Sequence, residues 1–402
     1  MPGPVRRGLH DRQGDADMVT GGDAVTKKTS TVSCRGCASA NVVQVVDVGD
    51  QPTADLFPTV DTPGPDPRHP LSLWLCRDCT LVQLGPVEAQ IAEEPLAVES
   101  ATSLAHAESS VKEILRDFPE LAGGVVFEFG SPHGGSWLDH LYAAGSRLAG
   151  AGEKADLVVD VHGIVHSEHF GESFKLRAER LAPGGLLVME FHHLLPLFVG
   201  NQFDTIRHGH WSYQSLRAVG NIAKLNGLTV ESVRQVDMYG GSLMVMLRHT
   251  ADAKPDASVD VVLADEEAAG IADEIQLASL QEAAWHAAGA LHAELTRHKA
   301  AGRKVLGYGA PSKAPVLLDL SKVGTDLLEF TVDKAPGKHG RRIPGACMVP
   351  IRPVAELKAA RPDVVLVLTW DIAEEVIAQL EADGGWGATY LVPLPEPHEL
   401  RR

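Results

Sequence analysis

Val125-Val126-Phe127-Glu128-Phe129-Gly130-Ser131-Pro132-His133-Gly134-Gly135 joins an apolar run of strand length to a glycine-rich turn, and a helix is expected from about Ser136. Upstream, the spacing from Leu104 to Phe118 predicts an amphipathic helix. Downstream come an apolar run at Asp156–Val161, a helix around Ser173–Leu181, the turn Pro183-Gly184-Gly185 and a strand at Leu186–Glu190. Strands that alternate with helices in this way predict a parallel α/β sheet. Residues 264–300 read as one long helix joining two lobes, with Asp265-Glu266-Glu267 in its first turn. A second unit opens at Lys304-Val305-Leu306-Gly307-Tyr308-Gly309-Ala310-Pro311-Ser312-Lys313 and continues with strands at Phe330–Val332, Val364–Leu368 and Tyr390–Val392. That order predicts a second, Rossmann-like sheet.

Four of the five cysteines form the pairs Cys34/Cys37 and Cys76/Cys79, within Ser33-Cys34-Arg35-Gly36-Cys37 and Leu75-Cys76-Arg77-Asp78-Cys79. Two such knuckles can close a tetrahedron on structural Zn²⁺ and leave no position for substrate. The alternative is two separate reduced pairs, or disulfides. The 402 residues, 44% hydrophobic and 22% charged, are enough for more than one core. A formal net charge of -17 argues against a nucleic-acid backbone or an anionic membrane as partner. The absence of a long apolar run and the zinc-type cysteines favour the cytoplasm. The expected division is a disordered tail at 1–30, a zinc-binding module at 31–90, a lobe at 91–260, and a linker helix with a last lobe at 261–402.

Two stretches carry candidate chemistry. Gly307, Gly309, Ser312 and Lys313 can cradle phosphate at a helix start, although a merely tight turn has the same spacing. Lys334, Lys338, His339, Arg341 and Arg342 crowd the loop after the next strand, which favours a diphosphate ligand. In Phe203-Asp204-Thr205-Ile206-Arg207-His208-Gly209-His210-Trp211-Ser212-Tyr213, two histidines near Asp204 and Tyr213 can supply a general base. A surface loop with satisfied imidazoles is the plainer alternative. His162, His166, His192 and His193 lie near strand ends of the same lobe and favour an active site.

Together the two cysteine pairs, Leu81-Val82-Gln83-Leu84, Phe203-Asp204-Thr205-Ile206, His208, His210, Ser212-Tyr213, Gly240-Gly241-Ser242-Leu243, Gly307–Lys313, Val332-Asp333, Pro344-Gly345 and Trp370 resemble the deoxysugar C-methyltransferases. The resemblance covers nearly all of residues 31–397. It implies a zinc module, a central S-adenosylmethionine lobe of Rossmann type and a C-terminal lobe that holds the sugar nucleotide. It also implies removal of a proton beside the ketone of a dTDP-linked 4-ketosugar, in natural-product deoxysugar biosynthesis, to give an enolate that takes a methyl group. His210 matches the base, and His166 matches a second histidine of the family.

The chain departs from that pattern. Arg207-His208-Gly209-His210 stands where the family has Tyr-His-Glu-His, and Glu93–Ser100 lacks a further tyrosine. The turn Gly130-Ser131-Pro132-His133-Gly134 replaces one close to Gly-Ser-Asn-Asp-Gly, and Ala151 stands where an acidic ribose ligand is expected. From Gly150 the chain reaches the next strand at Asp156, too soon for a framing helix and strand. This reads as a deletion inside the cofactor site, the rival being a reduced pocket on Glu128, Gly130 and Glu153. The expected function is proton transfer on the ketosugar, by epimerisation or isomerisation, with Arg207 stabilising the enolate. Methyl transfer from S-adenosylmethionine and a non-catalytic sugar-nucleotide-binding role are the alternatives.

Overall fold

The structure is a computed structural model that describes residues 32–87, 96, 99–132, 134–345 and 347–401. The expected tail at 1–30, His133 and most of Glu93–Ser100 lie outside the described residues. Among the described residues the named strands form sheets of four, six and six strands. In the same residues no helix is long and apolar enough to cross a membrane.

The first sheet is antiparallel. Val42–Pro52 pairs with Arg68–Cys76, which pairs with Val82–Leu84. A fourth strand comes from far along the chain, with Val82 facing Tyr213 and Gln83 facing Ser212. The sheet that begins beside the cysteines therefore ends on the segment that follows His210.

The central sheet runs in the order Arg147–Leu148, Val125–Phe129, Ala155–Val161, Leu181–His192, Ser242–His249, Leu228–Val236. Its first four strands are parallel and the last two pairings antiparallel. The edge strand is only two residues long and both are exposed. After it, Ala149–Lys154 turn straight into the next strand, in line with the short spacing of the sequence. The helix Ala101–Asp117 is capped by Ser100, whose side chain accepts from the Ser103 N–H at 3.0 Å. It buries Ala107, Val111 and Ile114, one face at helical spacing, against the sheet core around Val126, Leu157 and Val159.

The last sheet has the order Ile351–Pro353, Thr331–Asp333, Val305–Tyr308, Val364–Val367, Thr389–Val392, His398–Leu400, parallel except for its final strand. Counted within the lobe this is 3-2-1-4-5-6, the Rossmann order.

The single linker helix expected over 264–300 is two helices, Ala257–Ala269 and Glu274–Ala300. Gly270 ends the first in the left-handed region at φ 67°, and the Asp273 side chain caps the second. Glu266 is therefore not a first-turn residue. It is buried near the end of its helix and accepts from the Leu216 and Arg217 N–H groups at 2.5 and 3.0 Å, capping the helix Leu216–Leu225.

Candidate functional site

The carboxyl ends of the parallel strands in both six-stranded sheets border one cavity of about 320 Å³. The central sheet contributes His162 and His166 after Ala155–Val161, and Glu190 and His192 at the end of Leu181–His192. The last sheet contributes Pro311, Ser312 and Lys313, with Thr369 and Asp371 beyond Val364–Val367 and Lys338 beyond Thr331–Asp333. The loop with Arg207 and His210 forms a third wall. A crevice at strand carboxyl ends is where open α/β sheets bind ligands, and about 300 Å³ is the lower bound of ordinary ligand pockets.

His210 sits within a group of rings. Its centroid lies 5.1 Å from that of His166 and 5.5 Å from that of His192. Arg207 Nη2 lies 2.9 Å from His210 Nε2, and Nη1 donates to Asp55 Oδ2 at 2.9 Å. A guanidinium has only donors, so the imidazole nitrogen facing it is the unprotonated one. Asp55 also accepts from the Ser312 hydroxyl. One carboxylate of the first sheet's lobe thus joins the histidine loop to the Gly307–Lys313 turn.

That turn is shaped by close approach. Gly309 has φ 92°, and a Cβ there would stand 2.7 Å from Thr369 Cγ2. A Cβ on Gly307 would meet Thr331 Oγ1 at 2.7 Å. Lys313 Nζ donates to Asp371 at 2.5 Å and stands 3.7 Å above the Trp370 ring, while Trp370 Nε1 donates to Asp204 at 2.8 Å. Burial pushes the Asp204 carboxyl up to about 6. Lys338 Nζ donates to the Ala310 carbonyl at 2.7 Å.

Several expected residues lie outside the cavity lining. His208 is turned to the Pro70 carbonyl, 3.2 Å from Nε2, and burial lowers its pKa. The Tyr213 hydroxyl accepts from the Arg207 N–H at 3.1 Å, so the phenol holds the loop from behind. Arg341 donates to the Phe57 carbonyl at 2.8 Å. His193, next to His192 but facing the other way, bonds Glu266 at 2.8 Å.

The glycine-rich turn of the central sheet is occupied by groups of the chain itself. Glu128 accepts from Ser136 Oγ at 2.5 Å and from the Trp137 N–H at 2.7 Å, and burial raises its pKa. The Gly135 N–H donates to Glu99, whose carboxylate also lies against Gly134. The space lined by Glu128, Gly130, Ser131, Gly134 and Val161 measures about 60 Å³. Glu153, grouped with Glu128 and Gly130 on sequence, instead pairs with Arg147 at 2.9 and 2.5 Å and with the Gly150 N–H.

Sequence reasoning passed over His106, Glu190, Asp55 and Tyr239. Glu190 is a lone charge ending the apolar run Leu186–Met189, a signal available in the sequence. His106 and Asp55 join the site through contacts distant in sequence, which no local pattern marks.

The four zinc-type sulfurs lie within 4.8 Å of one another. Cys34 and Cys79 Sγ are 3.4 Å apart, and Cys37 and Cys76 Sγ 3.7 Å. A tetrahedron of 2.3 Å Zn–S bonds has edges of about 3.8 Å, so this donor set fits Zn²⁺. The Gly36 and Cys37 N–H groups point to Cys34 Sγ at 3.3 and 3.5 Å and support a thiolate.

Residues 34–90 match a zinc binding domain family, and residues 237–395 match the family of C-methyltransferase C-terminal domains. The C-methyltransferase NovU of Streptomyces niveus is 29% identical over 407 residues, covering 91% of this chain and 96% of that protein. Among solved structures, the magnesium protoporphyrin IX methyltransferase of Synechocystis PCC 6803 with bound SAH is 17% identical. It covers 37% of this chain and 84% of that one at a TM-score of 0.30. The mitomycin 7-O-methyltransferase MmcR is 15% identical and covers 37% of this chain and 55% of that one at 0.29.

Proposed function

We propose, from the premise that the chain belongs to the deoxysugar C-methyltransferase family, that it binds a dTDP-linked 4-ketosugar and moves a proton on it through an enolate, without methyl transfer. What supports this is the cavity of about 320 Å³ that joins His210, Arg207, Lys313 and Lys338 and is large enough for a sugar; it also reaches Ser131, Gly134 and Gly135 of the central turn, where a further space lined by Glu128 and Gly130 measures about 60 Å³. Ligand pockets ordinarily measure about 300–1,000 Å³.

Adenosylmethionine would supply an electrophilic methyl group, but the described residues of that turn do not fit it. Glu128 and the Gly135 N–H are already bonded within the chain, Glu153 is paired with Arg147, and the sheet stops at Arg147–Leu148.

His210 takes the proton from the carbon beside the ketone on Nε2, the nitrogen that Arg207 Nη2 faces in the free site and leaves as it turns to the substrate oxygen. The C–H electrons form the carbon–carbon double bond, and the carbonyl pair moves to oxygen. Arg207 donates to that oxyanion as charge develops. Lys313 and Lys338 face the diphosphate, and Asp55 keeps Arg207 and the Ser312 turn in register. Return of the proton to the other face of the same carbon gives an epimer. Where the deprotonated carbon bears a hydroxyl, transfer of that hydroxyl proton to the former carbonyl oxygen and return of the carbon-bound proton at the former carbonyl carbon give an isomerised ketone.

Methyl transfer is the second reading, favoured by the match to C-methyltransferase NovU. The two separate in deuterium oxide. A dTDP-4-ketosugar incubated without adenosylmethionine is expected to gain deuterium beside the ketone, with no methylated product when the cofactor is added. Absence of exchange with every such sugar removes the proposal.

A further inference from the structure

Glu190 is a buried carboxylate on the cavity wall, 1% exposed, with no part in proton removal by His210. His106 Nε2, from the helix Ala101–Asp117, lies 2.8 and 3.0 Å from its two oxygens. His162 Nε2 lies 3.3 Å from one of them. A buried carboxylate is costly unless paired and hydrogen-bonded. Burial opposes ionisation of Glu190, yet the bonds to His106 and His162 outweigh it and hold its carboxyl at about 2. An ionised carboxylate only accepts, so the His106 nitrogen facing it carries hydrogen. Burial opposes charge on His106 too, and the bond to Glu190 outweighs it, raising that pKa above the ordinary value.

His106 lines the cavity and is 17% exposed at its side chain. Ser110 Oγ, 3.4 and 3.3 Å from the two ring nitrogens, sits near the carbon between them and squarely caps neither. At the other end of the histidine wall, His210 turns Nε2 to a guanidinium that can only donate. One cavity therefore holds an imidazole whose carboxylate partner favours the charged form and another whose Nε2 faces a guanidinium, environments that push acid and base apart. His162 and His192, ring centroids 4.8 Å apart, stand between them. His162 adopts φ 53°, a strained backbone for a residue other than glycine.

We propose that His106, oriented by Glu190, is the second acid–base group of this site and protonates the enolate on the face opposite His210. This rests on the proposed proton-transfer function. His210 accepts the substrate proton. The enolate carbon then takes the Nδ1 proton of the His106 imidazolium, its double-bond pair forming the new C–H bond. His106 is left neutral with Nε2–H still on Glu190, and His210 is left cationic. Proton exchange with water resets both.

The test follows a dTDP-4-ketosugar with the full-length protein in deuterium oxide, scoring deuterium gain and configuration at the exchanging carbon separately. His106→Gln is expected to keep deuterium gain with retained configuration and to lose the inverted product by about a hundredfold or more. Glu190→Gln is expected to move the same ratio in the same direction, with thermal melting and circular dichroism confirming that both variants fold. His210→Gln is expected to lose exchange from the original configuration. Unchanged inversion in folded His106→Gln overturns the inference alone, as does wild-type exchange without inversion. A wild-type protein that exchanges nothing overturns the proposed function and the inference with it.

Discussion

The turns Gly130–Gly135 and Gly307–Lys313 both follow the first strand of a parallel sheet, and both face the same crevice. In the central sheet two carboxylates of the chain, Glu99 and Glu128, occupy the turn and the backbone after it. In the last sheet the turn is drawn tight by Gly309 against Thr369 and carries Lys313, with Lys338 nearby. An N–H that bonds a neighbouring carboxylate is satisfied and does not need a ligand. A lysine at a cavity wall supplies a charge an anionic ligand can use. Both turns are thus bonded within the chain, the first to Glu99 and Glu128 and the second through Lys313 to Asp371 and the Ala310 N–H to Asp333, and they differ in that the second brings lysines to the crevice.

Both turns lose most when the scaffold that holds the crevice is removed. The sheet that starts beside Cys76 ends on Ser212–Tyr213, two residues beyond His210, and Tyr213 holds the Arg207 N–H. Structural zinc in isolated fingers contributes about 10–16 kcal/mol. Chelation, or Cys76→Ser, is therefore expected to cost the folded N-terminal module and proton exchange together, checked by circular dichroism and turnover after zinc is returned.

A smaller effect comes from acid. Glu190 has a folded-state pKa of about 2 against an ordinary 4.5, so its contribution is complete above about 4.5 and is lost as pH falls through about 2. The shift corresponds to about 3 kcal/mol at neutral pH. Denaturant melts at stepped pH should show Glu190→Gln losing less stability than the parent over that window.

The two turns then separate directly. Lys313→Ala is expected to raise KM for the sugar nucleotide by roughly 10–100-fold, the value of a charged hydrogen bond of about 1.5–3 kcal/mol, with little change in kcat. Glu128→Gln should leave that KM within about twofold, because exchange of one neutral acceptor for part of a carboxylate inside a satisfied turn removes no ligand contact. Equal effects in steady-state kinetics would erase the distinction.

Much of this was legible from local chemistry. The cysteine spacing marked the sulfur tetrahedron, and apolar runs marked the strands Val125–Phe129, Ala155–Val161, Val305–Tyr308 and Val364–Val367. The short path from Gly150 to Asp156 is matched by a sheet that stops at a two-residue edge strand. The break at Gly270 was hidden because an alanine- and leucine-rich stretch tolerates one glycine in its pattern, and only the left-handed backbone reveals the end. Ser212–Tyr213 carries too few residues for any period to show. At the site, His166, Arg207 and His210 lie together, whereas His208 turns to the Pro70 carbonyl and Tyr213 to the Arg207 N–H, partners set by packing that no local pattern marks. The His106–Glu190 pair joins residues 84 apart, a distance that only the packed helix closes.

The most direct test is calorimetric titration of the zinc-loaded full-length protein with adenosylmethionine, with a dTDP-4-ketosugar titrated in parallel. The predicted result is saturable heat for the sugar nucleotide and none for adenosylmethionine. Saturable binding of adenosylmethionine would contradict a filled central turn and return methyl transfer to the site.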